Sequence, residues 1–170
     1  MSMKKTVLTF GLISGAVSSA MMLLTLPFID RIGFDKGEIL GYTTIVLSFL
    51  LVFFGVRSYR EQSGGAMSFG RGFTVGLLIT LISCTCYVLT WEVIYFKLMP
   101  DFVEKYSAYT VEHLKASGAS QKSIDASVKQ MQDFKLMYAN PLVNAAITFT
   151  EPFPIGLVVT LISAAVLRKK

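Results

Sequence analysis

LVNAAITFTEPFPIGLVVTLISAAVL, residues 142–167, holds one charged side chain, Glu151, in a run long enough to cross a bilayer, since about 20 apolar helical residues span a hydrocarbon layer about 30 Å thick. An acid in such a run costs at least a few kcal/mol if left facing lipid. Glu151 is therefore expected to turn towards other helices. Counting about 1.5 Å per residue from Leu142 puts it roughly 13 Å below the outer surface, close to mid-membrane. Pro152 and Pro154 follow at once. They remove backbone donors and free carbonyls one turn earlier, so the helix is expected to kink or open at the acid. Such a break can hold a cation or a proton. The plainer use is a hydrogen-bonded or protonated glutamate that pins helix to helix.

Working outward, three more apolar runs appear, at 6–29, 39–56 and 72–99. The chain of 170 residues is 53% hydrophobic and only 16% charged, with a mean hydropathy of +0.58. These runs leave no room for a separate soluble domain, so residues 1–170 are expected to form a single four-helix transmembrane domain, all-α in class. The first run continues through Met21–Leu26 past a passable cleavage site at Ser18-Ser19-Ala20. It reads as a span and not as a signal peptide, whose apolar region would have ended earlier.

Charge orients the spans. Lys4 and Lys5, then Arg57, Arg60 and Arg71, then Arg168, Lys169 and Lys170 make eight basic residues against one acid, Glu61. On the other side eight basic and eight acidic residues cancel. Because short cytoplasmic loops retain Lys and Arg, four spans with both termini cytoplasmic satisfy all three clusters. The formal charge of +5 is thus topological. Its basic residues end apolar runs and form no stripe among exposed aromatics, so nucleic acid is not an expected partner. The bilayer is the first partner. Arg57, Arg60 and Arg71 are expected to meet anionic headgroups or a cytosolic partner.

Residues 100–141 are too polar to span. Phe102, Tyr106, Tyr109 and Leu114 follow near-helical spacing, Ser117-Gly118-Ala119-Ser120 interrupts, and Ile124, Val128, Met131, Phe134 and Tyr138 resume a helical stripe before Asn140-Pro141 stops it. This predicts a periplasmic helical hairpin between spans three and four, with Ser120 as N-cap of its second arm.

Glu92 is the other acid in an apolar run, near the outer interface and around 10 Å higher than Glu151, so a shared-proton dyad is not expected. Arg31 or Lys97 is its expected partner. Tyr87, Trp91 and Tyr95 recur at helical spacing beside it and read as an outer aromatic belt. Small residues recur every four positions: Gly11, Gly15 and Ser19; Gly72, Gly76, Thr80 and Cys84; Gly156, Thr160 and Ala164. These stripes let helix backbones approach, within one bundle or, if turned outward, between copies. Cys84 and Cys86 lie two apart on a helix and cannot bridge. Lone His113 has no companion ligands, and the sequence offers no catalytic constellation, metal set or cofactor motif.

Several stretches carry a resemblance: Lys4-Lys5-Thr6-Val7-Leu8, Gly41-Tyr42, Phe54-Gly55-Val56-Arg57-Ser58-Tyr59-Arg60, Gly64-Gly65, Ser68-Phe69-Gly70-Arg71, Met137-Tyr138-Ala139-Asn140-Pro141 and Phe153-Pro154-Ile155-Gly156-Leu157. On these the chain resembles, end to end, the bacterial membrane family known only as domain of unknown function 4199. The resemblance implies a four-helix inner-membrane protein with a helical insertion before the last span, and it transfers no activity. Two functions follow from the residues. One is a non-enzymatic accessory or scaffold subunit of a cell-envelope complex, with a membrane protein as partner. The other is a small ion, proton or lipid-linked transporter centred on Glu151, which with four helices would have to form a homo-oligomer.

Overall fold

The computed structural model describes residues 2–169, so Lys170 of the C-terminal basic cluster lies outside the described residues. Helix takes 87% of the chain and no strand occurs among the described residues, which makes the protein all-α. Four helical stretches are long and apolar enough to cross a membrane: Met3–Phe28, Phe34–Gln62, Phe69–Leu98 and Pro141–Leu167. The elements are α1 (Met3–Thr25), a 3₁₀ turn (Leu26–Phe28), α2 (Ile29–Ile32), α3 (Phe34–Gln62), α4 (Phe69–Val93), a π turn (Ile94–Leu98), α5 (Phe102–Ala116), α6 (Gln121–Tyr138), α7 (Pro141–Phe149) and α8 (Pro152–Leu167).

The spans outrun the apolar runs at most ends. α3 extends over Asp35, Lys36 and Glu38 at its start and Arg57, Arg60 and Glu61 at its end, because a helix continues to its stop signals and not to its last apolar residue. Gly33, at φ 77°, starts it, and Gly64 and Gly65, at φ 82° and 81°, turn the chain after it. These left-handed values are open to glycine without the strain a Cβ would bring.

The chain divides into two compact units, Met1–Thr90 with Thr148–Lys170 and Trp91–Ile147. The first is a bundle of α1, α3, most of α4, and α8. Phe10 lies against Gly55 and the Ser14 hydroxyl bonds Ser48 O, so α1 and α3 run antiparallel. Gly72 meets Ala164 while Gly156 meets Thr80, so α4 and α8 also run antiparallel. The start of α1, the α3–α4 connection and the end of α8 therefore share one end of this unit. There Met67 and Lys169 exchange backbone hydrogen bonds of 2.9 and 3.0 Å.

Lipid is as apolar as leucine, so helices in it associate through close packing and hydrogen bonds. The small-residue stripes serve that purpose within the bundle. A Cβ built on Gly15 would stand 2.6 Å from Cys86 Cβ, and one on Gly156 only 2.4 Å from Thr80 Cγ2. Phe49, Val52, Val56, Val75 and Ile79 fill the centre.

The second unit is held by its own aromatic cluster. Tyr95 and Tyr138 meet edge to face at 5.0 Å, Trp91 and Phe102 likewise at 5.0 Å, and Phe134 stacks on Tyr138 at 4.7 Å. α5 and α6 form a helical hairpin around a turn at Gly118, φ 73°. Ser120 caps α6, its hydroxyl accepting from Ser123 N at 3.3 Å. Lys135 of α6 pairs with Glu104 of α5. That pairing holds the Glu104 carboxyl below the usual carboxylate range, chiefly through the hydrogen bond from Lys135, and the same bond holds the Lys135 ammonium above its ordinary value.

Gly156→Val is expected to destabilise the bundle by about 1–3 kcal/mol through overpacking, whereas Gly41→Ala, with nothing within 4 Å of the new methyl, leaves it unchanged or slightly firmer. Thermal unfolding in detergent distinguishes the two. For the second unit, the Glu104 contribution is present above the ordinary carboxylate pKa near 4.3 and fades as pH falls below it, and the Lys135 contribution fades only as pH rises past about 10.4. Fluorescence of Trp91, the only tryptophan, should show constant stability between about pH 5 and 10, with a modest acid limb that Lys135→Met flattens, both partners being exposed and screened.

Candidate functional site

α4 carries polar residues at 80, 83, 87 and 90, a 3-4-3 spacing that keeps them on one face of a helix. Each finds a partner on another helix. Thr80 and Thr160 hydroxyls lie 3.1 Å apart, and Thr80 also reaches Gly156 O at 3.4 Å. Ser83 and Ser14 hydroxyls are 2.9 Å apart. Thr90 donates to the Ser19 hydroxyl at 2.8 Å, and Tyr87 donates to Glu151 Oε2 at 2.9 Å. This seam joins α4 to α1 and α8, and Ser14 passes it on to Ser48 O of α3 at 2.9 Å.

Glu151 sits where the fourth span is interrupted, between Phe149, the last residue of α7, and Pro152, the first of α8. Pro152 has no N–H for Thr148 O, which instead accepts from Glu151 N at 3.3 Å, a tighter turn. Pro154 likewise has no N–H for Thr150 O. The carboxylate is hydrogen-bonded to another helix, as expected of a glutamate that pins helix to helix, yet the residue is exposed and not interior. Pro152 is the reason. Its ring is fully buried, and the residue before it, about 100° away around the axis, turns outward. The Tyr87 hydroxyl ties the carboxylate back to the bundle.

Gly156 lies against Phe49, and five residues of rise, about 7.5 Å, bring Glu151 level with Thr44, five residues from Ile39 along α3.

Glu92 belongs to the second unit. It is half-buried, its Oε1 is shut off from solvent without a hydrogen-bond partner, and it forms no ion pair among the described residues. The expected cation partner is therefore missing. The aromatic belt is corrected too. Trp91 Nε1 donates to Tyr138 OH at 2.8 Å, Tyr95 is buried, and Tyr87 serves Glu151. The polar tips of Trp91 and Tyr87 are used between protein elements, and the Tyr95 ring packs on Tyr138, where a belt would face lipid headgroups.

The basic residues gather at the shared end of the bundle. Arg57 Nε pairs with Glu61 at 2.9 Å. Arg60 Nε is buried without a hydrogen-bond partner, and Arg71 N reaches the Ser68 hydroxyl at 3.4 Å at the start of α4. Both cysteines are free. No group of three or more His, Cys, Asp or Glu residues suited to a metal occurs among the described residues.

The small-residue stripes already placed Thr80, Thr160 and Ser19 where hydroxyls bond across helices, as Thr80 with Thr160 and Ser19 with Thr90 do; Ser83 and Thr90 were not singled out. The signal was there in the 3-4-3 recurrence of hydroxyl side chains at 80, 83, 87 and 90. With this geometry in place, a family model described as "Protein of unknown function (DUF4199)" matches residues 9–169. No curated protein and no solved structure matches the chain.

Tyr87→Phe and Ser83→Ala are each expected to cost roughly 0.6 kcal/mol, the mean for hydrogen bonds between membrane helices, and no more than about 1.7. Combining Tyr87→Phe with Glu151→Ala, which removes the acceptor, should cost less than the sum of the single changes in a double-mutant unfolding cycle. Strict additivity would mean the 2.9 Å contact contributes nothing.

Proposed function

The chain belongs to the DUF4199 family of proteins of unknown function, and from that premise we propose that it is a non-enzymatic accessory or scaffold subunit that holds another integral membrane protein. The observation that carries this reading is an apolar surface its own core does not use. On α6, Leu136 is 77% and Met137 49% exposed, just ahead of the fourth span, on a hairpin whose apolar seam is already closed by Phe134 and Tyr138. Apolar side chains grouped on an otherwise charged surface mark interaction sites.

The bundle interior supports the same reading over transport by one chain. Backbones in glycine contact and hydroxyls paired across the seam leave the helices packed against each other, where a transporter holds its substrate at the midplane between repeats. The Lys and Arg asymmetry supports placement in a bacterial inner membrane with both termini cytoplasmic and the α5–α6 hairpin periplasmic.

The test is gentle extraction of the tagged protein from its native membrane, followed by native mass spectrometry. A membrane protein present in fixed stoichiometry with the wild type and lost from Leu136→Glu is expected. A bare chain, or a partner retained equally by Leu136→Glu, would overturn the proposal.

A further inference from the structure

We propose that the Lys169 end of the bundle is a binding site for the phosphate-bearing headgroup of an anionic phospholipid, held by Arg60 together with Arg71 and Arg168. This goes beyond the scaffold reading and does not depend on it.

The place is built by the fold. The backbone exchange between Met67 and Lys169 ties the C-terminal strand of chain to the α3–α4 connection, and Met67 is itself buried. Gly64 and Gly65 turn that connection back so that Gly65 N bonds Arg60 O at 3.1 Å. Arg71 adjoins Gly72, which lies against Ala164 of α8, and Arg168 directly follows α8. Three arginines far apart in sequence are thereby brought to one end.

Their charges are not spent. Glu61, the single acid of these segments, is taken by Arg57. Arg60, Arg71 and Arg168 form no ion pair among the described residues. Arg60 adds a second, independent feature, because its Nε is closed off from solvent and has no hydrogen-bond acceptor. A buried donor without a partner is costly, and a guanidinium presents its N–H groups as a fork that fits the oxygens of a phosphate. Arg60 as a whole is only half-buried, so a phosphate that engages its guanidinium and displaces the cover over Nε would supply the missing acceptor.

Phospholipid is favoured over a free anion by position. This end terminates four spans, at the level where headgroup phosphates lie. Beside Arg71, Phe69 is 40% exposed and stacks on Phe73 at 6.1 Å, giving the acyl region an aromatic surface next to the charge.

The experiment titrates phosphatidylglycerol, phosphatidylcholine and inorganic phosphate onto the purified full-length protein in detergent, reading the rise in Tm and lipid adducts by native mass spectrometry. Phosphatidylglycerol should raise Tm and phosphatidylcholine should not. Arg60→Gln should weaken the response about tenfold, the loss of a charge-assisted hydrogen bond, whereas the charge-neutral pair Arg57→Gln with Glu61→Gln keeps it within about twofold because that ion pair is exposed. If Arg60→Gln does not fold, Arg71→Gln with Arg168→Gln carries the same expectation. Equal responses to both lipids, or an Arg60→Gln response equal to wild type, would overturn the site. Inorganic phosphate matching phosphatidylglycerol would reassign it to a free anion and overturn the lipid.

Discussion

The bundle depends on one face of α4. In water the burial of apolar side chains would bring helices together, but in a bilayer the lipid tails satisfy those side chains equally well. What remains is close contact and hydrogen bonding. Thr80, Ser83, Tyr87 and Thr90 each bond to another helix, and Gly72 and Gly76 on the same helix, with Gly11, Gly15 and Gly156 opposite, let backbones come near enough for such short side chains to reach. The glycines and the hydroxyls are one device. A threonine hydroxyl extends only one bond beyond Cβ, so it bridges two helices only where a facing residue is small.

The same seam explains why an acid is tolerated in the fourth span. Glu151 stands where two prolines interrupt the helix, and its carboxylate takes a hydrogen bond from Tyr87, the longest member of the seam. Because Pro152 occupies the interior position, the acid is on the outer side of the bundle, held by Tyr87. That arrangement anchors a helix break to α4. Below it Gly156 lies against Thr80 and Phe49, so α8 is closely packed on α4 and α3 one turn past the break.

The two units use different chemistry. The bundle pairs small residues and hydroxyls, whereas Trp91–Ile147 is held by ring contacts among Trp91, Tyr95, Phe102, Phe134 and Tyr138 and by the Glu104–Lys135 pair. Aromatic clusters and ion pairs suit a polar hairpin whose seam must exclude water. Glycine contact suits helices that have no water to exclude.

By itself the sequence determined the all-α class, the four spans, the hairpin and its Ser120 cap, because span length, apolar periodicity and capping chemistry are local properties that depend on residues within a few turns. The break at Pro152 was legible for the same reason, since a missing N–H acts on its own helix. Which way a side chain turns at that break is not local. The cost of a charge in lipid correctly implied a partner on another helix, which is Tyr87, but that Pro152 would take the buried position and leave Glu151 exposed followed from the packing. Likewise Tyr87, Trp91 and Tyr95 have the spacing of a lipid-facing belt, and only the packed structure shows that each side chain is taken up by another element. The gathering of Arg60, Arg71 and Arg168 at one end also required the tertiary structure, because the Met67–Lys169 bridge that assembles it joins residues about a hundred positions apart.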